Sequence, residues 1–314
     1  MTPEDRRTAL ARLAGTTLAL GHGTENDFVL VDDPDAALDL TPQDVAALAD
    51  RRGGLGGDGI IRAVRTEALA RTDPDAARVA AEDAGAVWFM DYRNADGSLA
   101  EMCGNGVRVF VAHLRDRGHV SLGDGETVRV GTRGGVRQVR IVGDEYAVSM
   151  GRFGLPGGPA ALADGTDVAV VVPGLSGTRG GLRVTMPNPH TVVAVPSLED
   201  LAAARLELGT VDYAPEPPEG TNLELVVPGV EEVGPDGRVG TLTMRVLERG
   251  VGETRSCGTG CCAAAVAVRA WAGAGAPDRW RVQVPGGTVL VDVDADGEVT
   301  LTGPAALVAD VRLR

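Results

Sequence analysis

The chain has 314 residues, a formal net charge of −14 and no lysine, so all 30 basic residues are arginines. That length admits two domains with cores of their own, while the acidic balance argues against a nucleic-acid partner, whose phosphates need a basic surface. The lack of lysine excludes a pyridoxal-phosphate Schiff base and a Walker A phosphate loop. No apolar run approaches a membrane span, and the opening M-T-P-E-D-R-R-T-A-L-A-R-L lacks the apolar core of a signal peptide, so a cytoplasmic protein is expected. Four cysteines without a C-x-x-C pair predict neither a disulfide framework nor a structural metal site.

In chain order, residues 1–14 read as a short helical or frayed extension. T-T-L-A-L-G-H-G (16–23) and N-D-F-V-L-V-D (26–32) read as two strands around a polar turn holding His22 and Asn26. The segment 41–52 predicts a helix capped by Thr41, with Pro42 at its first position and arginines in its last turn. G-G-L-G-G-D-G-I-I (53–61) is a glycine loop returning into a strand; no helix follows and the G-x-G-x-x-G spacing is absent, so a nucleotide role is not expected. Residues 66–85, rich in Ala, Asp and Arg, read as a surface insertion, and A-V-W-F-M-D-Y (86–92) as a strand.

Residues 94–112 read N-A-D-G-S-L-A-E-M-C-G-N-G-V-R-V-F-V-A: small and acidic residues, then Cys103, then G-x-G and an apolar run. That pattern predicts a tight turn feeding the N-terminus of a buried helix that runs to about Arg117. Residues 128–151 alternate apolar and polar side chains and turn at Gly-Gly and Gly-Asp, as hairpins do. A Gly/Pro-rich turn (154–158) follows, then strands at 167–172, 182–186 and 186–195, and a helix at 197–205 with a Ser-x-x-Asp cap. Strands at 221–227 and 241–249 lead to E-R-G-V-G-E-T-R-S-C-G-T-G-C-C-A-A-A-V-A-V (248–268), where Cys257 stands as Cys103 does, before G-x-G and an unbroken apolar run. Cys261 and Cys262, one turn further among alanines, read as small buried fillers.

The two cysteines are separated by close to half the chain, and Asn94 and Glu248 lie at matching distances upstream of them. Residues 282–303 repeat the plan of 128–151. The chain is therefore expected to be an internal duplication of α/β type. Its first domain, 1–147, carries Cys103 and its second, 148–302, carries Cys257; a terminal strand, 303–314, returns to the first. Either cysteine alone reads equally well as a small residue beside a glycine turn. As a repeated pair at two helix starts, they suit proton exchange on both faces of one carbon in a cleft between the halves. The N–H groups and positive dipole of each helix start favour a thiolate, and at Gly104–Asn105 and Gly258–Thr259 they can also hold a carboxylate. The reaction this suggests is racemisation or epimerisation at an α-carbon, one thiolate removing the hydrogen and the other thiol protonating the opposite face.

Together with G-H-G-T-E-N-D-F, R-R-G-G-L-G-G-D-G, N-P-H, E-G-T-N-L-E and V-P-G-G, the two cysteine motifs resemble the diaminopimelate epimerase family of cofactor-independent two-cysteine amino-acid racemases and epimerases. The resemblance runs from about 17 to 303. It implies two pseudo-symmetric α+β domains, each a mostly antiparallel sheet wrapped around a central helix, and no cofactor or metal. Cys103 and Cys257 would be the base/acid pair acting on diaminopimelate; Gly104, Asn105, Gly258 and Thr259 would receive the α-carboxylate and Glu248 the α-ammonium. Asn26, Asn94, Asn188, Asn222 and Arg249 would recognise the distal amino-acid head, and His190, with Glu248, would tune the cysteines. A homodimer is also implied. The opening extension, residues 66–85 and Met186–Pro187 depart from the family's run.

Two rival readings are a two-cysteine racemase of proline or hydroxyproline, and a non-catalytic dithiol protein that senses oxidants or binds metal. The asparagines and Arg249 argue against the first, because proline has no second charged head. Each asparagine alone reads as a turn residue, Arg249 and Glu248 alone as a surface pair, and His22 and His190 alone as structural histidines, a reading kept for His113 and His119.

Overall fold

Apolar/polar alternation broken by glycine turns builds most of the chain into strands around two buried helices, seen in a computed structural model that describes residues 2–234 and 237–314. Two compact units result, Met1–Val148 with Gly303–Arg314, and Ser149–Thr302. Among the described residues no helix is long and apolar enough to cross a membrane.

The first unit opens with α1 (Pro3–Arg12), whose capping box pairs Thr2 with Asp5. The hairpin β1 (Thr17–Gly23) and β2 (Asn26–Asp32) turns through Thr24 and Glu25, both left-handed at φ 51° and 61°. Non-glycine residues bear a strain there that a two-residue primed turn demands. α2 (Pro42–Ala49) is capped by Thr41 as expected, but it ends before Arg51 and Arg52, so neither arginine lies in its last turn. β3 (Gly59–Arg65) follows the glycine loop.

Residues 66–85 correct the sequence reading. They form α3 (Thr66–Leu69) and α4 (Pro74–Glu82), and Ala68, Leu69, Ala76 and Val79 are buried with Val64, Ala86 and Phe89 in a core of their own. The reason is helical spacing: Ala76 and Val79, three apart, share one face, while Ala77 and Arg78 between them face outward. β4 (Trp88–Asn94), α5 (Gly104–Asp116), β5 (Thr127–Thr132), β6 (Gly135–Val142) and β7 (Glu145–Arg152) complete the run.

The second unit continues through α6 (Gly158–Asp164), which follows the expected Gly/Pro-rich turn, β8 (Val168–Val171), β9 (Arg179–Thr185), β10 (Pro189–Ala194) and α7 (Leu198–Ala203). It goes on with β11 (Asp212–Ala214), β12 (Asn222–Pro228), β13 (Glu232–Gly234), β14 (Gly237–Glu248) and β15 (Gly252–Thr254). α8 (Gly258–Ala272) and the meander β16 (Arg279–Val284), β17 (Gly287–Val293) and β18 (Glu298–Gly303) close it. β19 (Ala306–Arg312) belongs to the first unit, antiparallel to β1 from Thr17↔Arg312 to His22↔Ala306.

The two units repeat one topology. In the first, β1–β2 is antiparallel, β2–β3 parallel, β3–β4 antiparallel, β4–β5 parallel, and β5–β6 and β6–β7 antiparallel. In the second, β9–β10, β10–β12, β12–β14, β14–β16, β16–β17 and β17–β18 follow the same senses in the same order. Within each unit the sheet encloses one helix. α5 packs on β1, β2, β3, β4, β6 and β19; α8 packs on β9, β10, β12, β14, β16 and β17. Both helices are buried on nearly every face, so α8 is built from alanines, valines and the fully buried Cys261 and Cys262, which let strands approach closely.

α5 carries a different burden, because Arg108 on it is also fully buried. Its guanidinium donates to the Pro304 carbonyl (3.1 Å) and the Thr24 hydroxyl (3.2 Å), tying the helix to the β1–β2 turn and to the entry of β19. On the other side of the sheet, Asp91 is wholly buried among Arg62, Arg93 and Arg133. Burial alone would raise that carboxyl; the three guanidiniums override it and hold it below the usual range.

Candidate active site

Each cysteine occupies the residue before a helix, in extended backbone: Cys103 at φ −138°, ψ 119°, and Cys257 at φ −125°, ψ 116°. That extended backbone sets each sulfur beside the first turn of its helix, where backbone N–H groups lack partners within the helix. In the first unit the Gly106 N–H donates to the Cys103 sulfur at 3.4 Å. The Cys103 thiol donates in turn to Asn26 Oδ1 (3.5 Å), which also accepts from Asn105 Nδ2 (3.3 Å). Asn26 faces this way because its own amide nitrogen donates to Asp58 Oδ2 at 2.6 Å. Arg51 then bridges Asp58 and Asp27 (2.8 and 2.6 Å), and burial raises the Asp58 carboxyl above its ordinary value. Asn94 turns into its own loop, donating to the Ser98 hydroxyl at 3.0 Å.

In the second unit the polar groups form a single file. Glu224, fully buried, places Oε1 2.7 Å from His190 Nδ1; His190 Nε2 lies 3.1 Å from Asn188 Oδ1. Asn188 Nδ2 donates to the Thr259 hydroxyl (3.4 Å), which lies 3.5 Å from the Cys257 sulfur. Burial pushes the Cys257 thiol well up, and the carboxylates of Glu248 and Glu224 add to it; the Thr259 hydroxyl and Gly260 backbone pull the other way. Glu248 accepts from the Thr254 hydroxyl. Asn222 accepts from the Arg249 backbone N–H (2.8 Å) and donates to the Pro189 carbonyl (3.1 Å), while the Arg249 guanidinium reaches the Glu219 carbonyl at 2.7 Å.

Of the residues expected from sequence, the first unit thus gathers Cys103, Gly104, Asn105 and Asn26, with Asn94 at the end of β4 apart from that hydrogen-bonded set. The second gathers Cys257, Thr259, Asn188 and His190 in one network beside Gly258, pairs Asn222 with the Arg249 backbone, and sets Glu248 against Thr254. The sequence reading passed over Asp27, Asp58 and Arg51 behind Asn26, and Glu224 behind His190. Strand alternation carried a signal for the last, since Asn222 and Glu224 are two apart on β12 and so share a face. Among the described residues no cluster of three or more His, Cys, Asp or Glu side chains is placed to hold a metal ion.

Backbone donors at a helix start beside a thiol can receive an anionic group and stabilise charge that develops next to the sulfur. Each unit builds one such place. The sequence profile described as Diaminopimelate epimerase matches residues 18–155 and 182–308, one match to each repeat. A diaminopimelate epimerase of Streptomyces coelicolor is 48% identical over 301 residues, covering 92% of each chain. One of Thermobifida fusca is 47% identical, covering 94% of this chain and 97% of its own. Among solved structures, a phenazine biosynthesis protein of the PhzF family from Bacillus anthracis superimposes with a TM-score of 0.62 at 13% identity, over 95% of this chain and 99% of its own, a likeness of fold alone.

Proposed function

The chain belongs to the diaminopimelate epimerase family, and from that premise we propose that it interconverts LL- and meso-2,6-diaminopimelate through the thiols of Cys103 and Cys257, without a cofactor. One sulfur, as thiolate, takes the α-hydrogen as a proton; the electron pair left behind is held by the α-carboxylate. The other thiol gives its proton to the opposite face, so one proton enters, one leaves, and the roles of the sulfurs are exchanged. The observation that carries this is the repeat itself: each unit sets a cysteine at the cap of its enclosed helix.

The α-proton of an amino acid is very weakly acidic, so most of the barrier falls to electrostatic stabilisation. The helix-start N–H groups of Gly104, Asn105, Gly258 and Thr259 receive the carboxylate as charge builds on it. Glu248 holds the α-ammonium, whose positive charge also offsets the carboxylate's effect in raising the Cys257 thiol. Asn26, Asn94, Asn188, Asn222 and Arg249 recognise the distal head, and His190 tunes the cysteine of its unit. The same reading sets the enzyme in the cytoplasm, on the route to lysine and peptidoglycan precursors, as a homodimer.

The test is hydrogen exchange. In deuterated water with reductant and chelator present, diaminopimelate should take up deuterium at one α-carbon while its stereochemistry equilibrates. Cys103→Ala and Cys257→Ala should each abolish epimerisation. Undiminished turnover in either variant, or a requirement for an added cofactor, defeats the proposal. Sedimentation of the purified chain tests the dimer.

A further inference from the structure

Glu224 closes the deep end of the second unit's polar file, its side chain as fully buried as that of His190 beside it, and nothing in the proposed reaction uses it. It is fully buried on β12, and its Oε1 is held 2.7 Å from His190 Nδ1. The first turn of α8 presses against it: a Cβ on Gly260 would stand 2.7 Å from Glu224 Oε1. The G-x-G after Cys257 therefore has a specific cause, since its second glycine makes room for a carboxyl group. The matching glycine of the first unit, Gly106, faces carbon instead, with Ile61 Cδ1 at 3.2 Å and Phe28 Cζ at 3.5 Å. The acid is peculiar to one half of the repeat.

From His190 Nε2 to Thr259 the hydrogen bonds of the file run in one direction. Asn188 turns its Oδ1 to His190 and its Nδ2 to Thr259, and an amide oxygen only accepts. His190 Nε2 must then carry a hydrogen. Two proton arrangements allow it: carboxylate with imidazolium, or carboxylic acid donating to a neutral ring. A neutral ring donating from Nδ1 alone would set a lone pair against Asn188 Oδ1, and the amide would turn over. Its oxygen would then take the Thr259 hydroxyl hydrogen, which in the observed arrangement is free to go to Cys257.

We propose that Glu224 is a positioning residue: by holding His190 with a hydrogen on Nε2, it fixes the direction of Asn188 and so commits the Thr259 hydroxyl to donate to the Cys257 sulfur. This rests on the reading that Cys257 is one of the two exchanging thiols, but its test does not need turnover. The pH dependence of alkylation by iodoacetamide is followed separately at Cys103 and Cys257 by peptide mass spectrometry, since the thiolate is the reactive form. In Glu224→Leu the Thr259 donor is no longer committed, and the midpoint at Cys257 should rise by about one pH unit, roughly tenfold slower alkylation at a fixed pH below it. Cys103 is the internal control and should not change.

If Glu224 acted only as a negative charge, its removal would make the Cys257 thiolate easier to form and the midpoint would fall. A fall, no change, or an equal rise at Cys103 overturns the proposal. Glu224→Gln, which keeps a hydrogen-bonding group against His190, should restore most of the native midpoint at Cys257, and failure to do so counts against ordering as the cause. Should the leucine variant not fold, nitrogen-15 spectra of the native protein at neutral pH decide: the His190 ring must carry a hydrogen on Nε2, and a ring protonated on Nδ1 alone overturns the proposal. Loss of epimerisation with unaltered alkylation profiles would leave the thiol reading standing and sink only the positioning role.

Discussion

His113 makes a quantitative claim about acid stability. It lies in the last turns of α5, 1% exposed, and neither ring nitrogen has a hydrogen-bond partner. Burial is the chief reason that its ring titrates at about 4 rather than the ordinary 6.5; Asp32 pulls the other way but does not prevail. Folding thus favours the neutral ring, and the unfolded chain binds the proton more tightly. The contribution is complete above the unfolded value and drains away as pH falls toward the folded one. That gap corresponds to about 3 kcal/mol, of which about 2 kcal/mol is lost between pH 7 and pH 5. The perturbation is His113→Leu, similar in bulk and unable to titrate. Urea unfolding of both proteins at pH 7 and pH 5 isolates the term, because the other titrating groups are common to both and cancel in the difference. The native protein should lose about 2 kcal/mol more than the variant over that interval. Parallel losses would show that the ring accepts a proton without leaving its place, and the argument from burial would fail.

Three further outcomes follow from other sites. Asp91→Asn leaves Arg62, Arg93 and Arg133 around an uncharged group, and urea unfolding should show a loss of about 3–5 kcal/mol; a loss under about 1 kcal/mol would mean that the guanidiniums find other partners. Gly260→Ala drives a methyl group into Glu224 Oε1, whereas Gly106→Ala meets only carbons at ordinary or slightly tight distances. The first should cost about 1–3 kcal/mol and the second less than about 1 kcal/mol in thermal unfolding, and the reverse order would refute the packing argument. Glu25→Gly relieves a left-handed residue at φ 61° in the β1–β2 turn and should raise stability by about 1 kcal/mol, read as a higher melting temperature.

What local chemistry determines was legible in the sequence. Caps at Thr41 and Ser197, glycine turns, and cysteines set before G-x-G all express nearest-neighbour rules, and a duplicated pattern exposed the repeat. What depends on distant partners was not. The parallel pairs β2–β3 and β10–β12 join strands with other segments between them, and nothing in either strand's own composition announces its neighbour. The core under α4 was hidden because its apolar face rests on Ala76 and Val79, too few to outweigh Asp75, Arg78 and Glu82 on the same short helix. Asp58 and Glu224 were passed over for a different reason: an isolated acid in a strand or loop reads as solvated until the fold shows an amide or imidazole held against it.

The strand that completes the first unit follows the entire second unit in the chain, yet its partner, β1, is among the earliest segments made. During synthesis at about 5–20 residues per second, the outer edge of β1 waits for some tens of seconds with its hydrogen-bonding groups unclaimed. An unclaimed edge is a template for other chains. The nascent protein should therefore depend on whatever shields emerging strands, and shortening the delay, by a circular permutation that places 303–314 ahead of β1, should raise soluble yield without altering the finished fold.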